Sequence, residues 1–205
     1  MSKTIKNSVL MIVIMTVLLG IIYPLLVTGI AQLIFPCQAN GSIVYHKGKA
    51  VGSELIGQSF NSPKYFHGRP SAAGEGYDAS ASAGSNLGST NPELLHRIVE
   101  QEKKVRSENK LAEGQKIPAD LLTASGSGLD PHISPEAAYL QCERVAAARK
   151  VPVEKIKALL AKHVEKREFG VLGEPRVNVL QLNLALDKEN PTSAATLIAN
   201  DREHQ

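Results

Sequence analysis

Between Lys6 and Lys47 the chain carries no Asp, Glu, Lys or Arg, and all 20 of its acidic residues follow that gap. Inside the gap, residues 9–35 form an apolar run in which 17 of 27 residues are Leu, Ile, Val or Phe. Each favours insertion by about 0.3–0.6 kcal/mol near the bilayer centre, roughly 5–10 kcal/mol together, which outweighs the smaller costs of Thr16, Thr28, Gln32 and Pro24. This predicts a membrane-spanning helix. At 1.5 Å per residue it is about 40 Å long against a hydrocarbon core of about 30 Å, so it tilts, or bends at Pro24 where a backbone hydrogen bond is missing. A kink there makes Pro24 a candidate docking feature.

A cleaved signal peptide is the competing reading. Cys37-Gln38-Ala39 offers only a weak small-x-small cleavage site, and the apolar stretch is about twice as long as a signal's apolar core. Ile34-Phe35-Pro36 also lacks the small residues that precede a lipid-modified cysteine. The segment therefore reads as an uncleaved anchor. Lys3, Lys6 and the amino terminus flank one side closely, so the positive-inside rule puts the N-terminus in the cytoplasm and the large domain outside it. The expected organisation is a cytoplasmic N-terminus (1–8), a transmembrane helix (9–35), one mixed α/β extracytoplasmic domain (36–188) and a polar C-terminal tail (189–205).

Residues 36–205 suffice for one domain with its own core. Aromatic residues are 4% and Trp is absent, so that core is mainly aliphatic. Once Lys3 and Lys6 are set aside, 21 basic residues face 20 acidic ones, and no basic footprint for nucleic acid remains. Cys37 and Cys142 are too few for a disulfide framework and lack zinc-site spacing. A single bridge between them is left open.

Ile43–Val51 reads as a β-hairpin around a Lys-Gly turn, with a third short run at Leu55-Ile56. Residues 71–91, rich in Ser, Ala, Gly and Asn, form a long loop that is either a linker or a binding surface. Asn91-Pro92-Glu93 opens a helix whose apolar face holds Leu94, Leu95, Ile98, Val99 and Val105. Ser134-Pro135-Glu136 opens a second helix, running through Arg149. A third begins at Pro152, with Val153, Ile156, Leu159, Leu160 and Val164 inward, and packs on the second. From Val177 to Leu186 apolar residues alternate, which predicts a half-buried strand. The tail beyond it is polar, with a short helix at 192–199.

Catalytic signatures are missing from the pattern. The six histidines do not cluster into His-Glu-x-x-His, and no Gly-x-Ser-x-Gly elbow occurs. Asp130-Pro131-His132 reads as a turn held by an Asx bond rather than a ligand pair. Ser107-Glu108-Asn109-Lys110 fits Ser-x-x-Lys only at a charged helix end. Thr123–Gly128 could cradle an anion with backbone N–H groups but lacks the Gly-Lys-Ser/Thr of a phosphate loop. A single uncharged span lines no pore. A one-span accessory protein fits better than an enzyme or a transporter, with a membrane-anchored hydrolase or adaptor as the alternatives.

Ten blocks then carry a resemblance along nearly the whole chain. They are Tyr23-Pro24, QANGS at 38–42, GS-x-LIGQ-x-F at 52–60, YFHGRPSA at 65–72, GSNL at 84–87, NPEL at 91–94, TASGSGLDPHIS at 123–134, RVAAAR at 144–149, GEPRVNV at 173–179 and LNLALD at 182–187. In these the sequence resembles the C subunit of the Kdp-type potassium-transporting P-type ATPase of bacteria. The resemblance implies an inner-membrane, single-pass accessory subunit without an active site of its own. It implies three partners: a channel-like potassium-binding subunit, an ATP-hydrolysing P-type subunit and a small single-span subunit. No cofactor is bound directly; ATP and potassium enter through the complex. It also implies a role in assembly, with either a chaperone-like increase in ATP affinity linked to Gln141 or a tuning of potassium entry at the outer mouth. For the second, His67 and Arg69 are candidate contacts, Tyr65 and Phe66 read equally as contacts or as core, and Asn86, Asp130 and His132 are weaker candidates, of which Asn86 and Asp130 are better suited to holding turns.

Overall fold

The computed structural model describes residues 2–46 and 48–189. The chain divides into two compact units, residues 1–43 and 44–205. The polar tail and its helix at 192–199 lie outside the described residues, apart from Glu189.

The first unit is dominated by one long apolar helix. Helices α1 (Ser2–Val17) and α2 (Tyr23–Ile34) are joined by a π-helical turn at Leu18–Ile22. Pro24 cannot donate to the carbonyl of Gly20, and its ring crowds that position. The chain responds by widening one turn, so that the Tyr23 N–H reaches the Leu18 carbonyl five residues back. The missing bond is thus absorbed as a π-bulge in a helix that continues. Lys3–Ile34 spans 32 residues with a mean hydropathy of 2.7 in its most apolar window, none of it buried within the chain, long and apolar enough to cross a membrane. Beyond Phe35 the short helix α3 (Pro36–Ala39) follows, and paired amides of Gln32 and Asn40, 3.2 and 3.4 Å apart, tie it back to the end of α2.

The second unit begins with the expected hairpin, β1 (Ile43–His46) and β2 (Lys49–Ser53). Gly48 takes the left-handed conformation that its turn requires (φ 78°). Leu55-Ile56 is a turn, not a third strand: the Leu55 and Ile56 N–H groups both return to Ser53. Helix α4 (Pro92–Asn109) is capped by the Asn91 side chain, which accepts from the Glu93 N–H. Leu94 and Ile98 are half-buried and Val105 is buried, whereas Leu95 and Val99 face outward. Helix α5 (Pro135–Arg149) starts as read from sequence, with Ser134 Oγ accepting from the Ala137 N–H. Helix α6 (Val153–His163) packs on it through Ile156, Leu159 and Leu160.

The last expected strand is corrected. Only β5 (Arg176–Asn178) is extended, and Val179–Glu189 forms helix α7. The Asn178 side chain caps that helix by accepting from the Gln181 N–H at 3.1 Å. Because α7 is buried on several sides, Val179, Leu180, Leu182, Leu184 and Leu186 are all covered, and a period of two carries no information about a face. β5 is the centre of a three-stranded antiparallel sheet, with β3 (His132–Ile133) on one edge and β4 (Val164–Glu165) on the other. Phe66, Ile133, Val145, Leu160, Val177 and Leu182 lie at the centre of the core. The cysteine bridge left open is not formed: both thiols are free, Cys37 exposed and Cys142 in the core, where burial pushes its thiol up to about 11.

Candidate functional site

Residues 62–65 form a turn closed by the Tyr65 N–H on the Ser62 carbonyl (3.1 Å), and side chains satisfy the remaining backbone of residues 63–67. Helix α5 contributes Arg144, whose Nη1 donates to the carbonyls of Pro63 (2.9 Å) and Tyr65 (3.0 Å). On the same helix Gln141 accepts from the His67 N–H (2.8 Å) and donates to the His67 carbonyl (3.1 Å). For the alternate residues, Arg149 Nε donates to the Lys64 carbonyl (2.7 Å). Asn183 of α7 accepts from the Phe66 N–H (2.9 Å) and donates to its carbonyl (3.0 Å). Two amides and two guanidiniums thus satisfy the backbone of this irregular segment.

Burial makes these bonds count. Gln141 is 1% exposed and Asn183 fully buried, and a buried peptide group without a partner costs about 1–3 kcal/mol. Tyr65 and Phe66 are core residues, at 4% and 0% exposure. Arg149 stacks 4.9 Å over the Tyr65 ring and pairs with Asp187 at 2.8 Å, while the Tyr65 hydroxyl donates to the other Asp187 oxygen at 2.9 Å. Burial and the bond to Asp187 push the Tyr65 phenol up to about 12. Gln141 Oε1 additionally accepts from Arg144 at 2.7 Å, so both ends of its amide are engaged within the fold.

His67 extends this network toward α4. Its Nδ1 lies 3.3 Å from Glu108, and its Nε2 lies 3.1 Å from the Ser62 carbonyl and 3.3 Å from Arg144. Burial, and then the neighbouring Arg144 charge, lower its pKa despite Glu108 and the Ser62 carbonyl, which favours the neutral imidazole near pH 7. The unfolded chain takes up a proton near pH 6.5, whereas the native ring does so only at lower pH. Stability from this group is therefore complete above about pH 6.5 and falls as pH drops toward the native pKa. Thermal unfolding between pH 7.5 and 5 is expected to show that decline, and His67→Gln to flatten it.

Arg69 and Asp130 form a second, shallower cluster. Arg69 pairs with Asp130 at 3.2 Å and points its other nitrogen at the Thr123 and Ala124 carbonyls. Asp130 Oδ1 accepts from the His132 N–H at 3.0 Å, the expected Asx turn, with the His132 ring 3.4 Å away. Burial alone would raise the Asp130 pKa; the two bonds from His132 and the charge of Arg69 hold it below the ordinary value. The loop Thr123–Gly128 turns carbonyls toward Arg69, Ser71 and Ser82, the reverse of an anion cradle. Gly128 has φ 69°, and a Cβ there would lie 2.7 Å from the Ala73 nitrogen, which presses this loop against the start of residues 71–91. Asn86 takes a left-handed backbone conformation (φ 53°) within that loop. Pro24 lies in the other unit, at the π-bulge.

A cavity of about 180 Å³ opens beside these groups, lined among others by His67, Arg69, Tyr77, Lys104, Glu108 and Gln141. Among the described residues no group of three His, Cys, Asp or Glu could hold a metal ion. Sequence reasoning singled out Gln141, His67 and Arg69 but missed Asn183, Arg144 and Arg149 as their partners. The signal that could have found Asn183 is a lone amide inside the apolar run Leu182–Leu186.

The model of the family described as "K+-transporting ATPase, c chain" matches residues 5–188. The chain belongs to the KdpC family. A protein of Koribacter versatilis named "Potassium-transporting ATPase KdpC subunit" is 52% identical over 93% of this chain and 97% of its own length. Family members of the same name from Gemmatimonas aurantiaca and Caulobacter vibrioides are 54% and 56% identical, covering 94% and 88% of this chain and 96% and 90% of theirs. The family match takes in both the apolar helix and the helix–strand domain, so the network around residues 63–67 lies wholly within it.

Proposed function

We propose that this chain is the accessory, non-catalytic C subunit of an ATP-driven potassium import complex in the bacterial inner membrane. The observation that carries the reading is the family match over residues 5–188, together with a helix long and apolar enough to cross a membrane. One span anchors the subunit with its N-terminus in the cytoplasm and its α/β domain outside. Its partners are a channel-like potassium-binding subunit, an ATP-hydrolysing P-type subunit and a small single-span subunit, and ATP and potassium act through them. Gln141 serves the fold by holding His67. Any effect on ATP affinity then passes through the P-type subunit, as a preference of the docked domain for one of its conformations. The exposed stretches of residues 71–91 are the natural contact surface for the outer mouth of the channel-like subunit.

Purification of the full-length tagged chain from detergent-solubilised membranes tests this reading. A P-type ATPase and a multi-span protein are expected to accompany it with potassium-stimulated ATP hydrolysis, and omission of this chain is expected to disperse them. Recovery of the chain alone would contradict the proposal. Orientation has its own probe in the two free thiols, of which only Cys37 is exposed. A membrane-impermeant maleimide is expected to label Cys37 in intact spheroplasts; labelling confined to lysed cells would place the domain on the opposite side.

A further inference from the structure

The hairpin between β4 and β5 ends in Phe169-Gly170-Val171-Leu172, and its three apolar side chains are 91%, 73% and 57% exposed. Elsewhere in the second unit the large exposed apolar residues occur singly or in pairs, on helices (Leu95 and Val99, Tyr139) and on the first hairpin and the turn after it (Tyr45, Leu55 and Ile56), which is ordinary for a protein surface. Three in four at the end of a projecting turn is a different pattern. The tip is also firmly built. The N–H groups of Glu168 and Leu172 donate to each other's carbonyls at 2.9 Å, and the Gly170 N–H returns to Arg167 at 3.1 Å. Arg167 grips Glu174 with two bonds of 2.6 and 2.8 Å just below. Further down, Val177 of β5 is fully buried, so the tip is mounted on the central strand of the sheet. Phe169 itself has φ 52°, a conformation that a bulky side chain adopts at a cost, and nothing inside the domain repays that cost, because the ring touches solvent.

The charges decide what the tip meets. Its neck carries Glu165, Glu168 and Glu174 against Lys166, Arg167 and Arg176. Arg176 pairs with Glu165 at 2.8 Å and approaches Glu168 at 3.7 Å, and Arg167 pairs with Glu174. A loop that binds an anionic bilayer surface presents an excess of Lys and Arg; here the excess is zero and the guanidiniums are already engaged. A self-neutralised neck below a rigid aromatic and aliphatic point is instead complementary to an uncharged apolar cleft on a protein, where an aromatic anchor in a dry pocket supplies most of the binding energy. We infer that Phe169, Val171 and Leu172 form a plug that docks this domain into an apolar cleft on the extramembrane face of another subunit of the complex. The inference rests on the accessory-subunit reading and adds an apolar anchor to the polar surface of residues 71–91.

The test uses the full-length tagged chain expressed with its partner subunits. Phe169→Asp changes a side chain that the fold does not cover, so the thermal midpoint of the chain is expected to stay at the wild-type value. Recovery of the partner subunits is expected to fall on the order of tenfold or more, Val171→Asp to act in the same direction, and Phe169→Leu to retain assembly. A photoreactive benzoylphenylalanine in place of Phe169 is expected to cross-link to a partner subunit. Wild-type recovery with both Asp variants would overturn the inference while leaving the accessory reading intact, and cross-linking to lipid alone would assign the tip to the bilayer and overturn it as well. Failure of the wild-type chain to bring down any partner would remove the accessory reading itself.

Discussion

Arg149→Met is expected to destabilise the α/β domain by about 3–5 kcal/mol, the usual cost of breaking a buried ion pair from one side. The guanidinium is 1% exposed and bonds Asp187 at 2.8 Å, so its removal strands a carboxylate in the interior. It also releases the carbonyls of Lys64 and Leu186, at 2.7 and 3.3 Å, and the cation over the Tyr65 ring. A Met side chain fills comparable space, so the loss is electrostatic rather than a cavity. Combining it with Asp187→Leu removes the stranded charge and is expected to recover part of the loss. Chemical or thermal unfolding of the full-length chain in detergent measures both effects; a change below about 1 kcal/mol for the single variant would show that the pair does not carry the fold.

Gln141→Leu is expected to cost about 2–4 kcal/mol, because it leaves the half-buried His67 N–H and carbonyl without their amide partner. The Arg144 nitrogen that Gln141 Oε1 accepts at 2.7 Å loses that acceptor as well. Asn183→Leu is the matched comparison. It strips the N–H and carbonyl of Phe66 in the same way, from another helix. Equal losses are expected, with hydrogen exchange accelerating at His67 in the first variant and at Phe66 in the second. A Gln141 variant as stable as wild type would mean that the amide is not kept for the fold.

Much of the secondary structure was legible because its signals are short-range. Asn91-Pro92-Glu93 and Ser134-Pro135-Glu136 place a cap, a first-turn proline and an acidic residue in order, and both helices begin there. Pro24 marked a disturbance of the long helix, although its form, a π-bulge starting six residues earlier at Leu18, depends on how the whole turn shares the missing bond. Helix α7 was misread because burial on several sides erases the contrast between faces on which periodicity depends. Its start lay in the cap at Asn178, which reads equally well as the end of a strand. The site was legible only by half. Gln141 and His67 stood out as residues, but they meet across 74 positions, and Phe66 meets Asn183 across 117; no local pattern encodes such pairings. The apolar tip at Phe169 was passed over for a related reason, since exposure is a property of the fold and not of the letters.

The central claim is that Gln141 and its neighbours are architecture, and that this subunit influences ATP hydrolysis only through the partner on which it docks. Equilibrium ATP binding to the purified full-length chain in detergent, without its partners, tests that claim most directly. The expected result is no saturable binding up to millimolar nucleotide. A saturable isotherm that disappears in Gln141→Leu but survives in the equally destabilised Asn183→Leu would contradict it and place a nucleotide site on this chain.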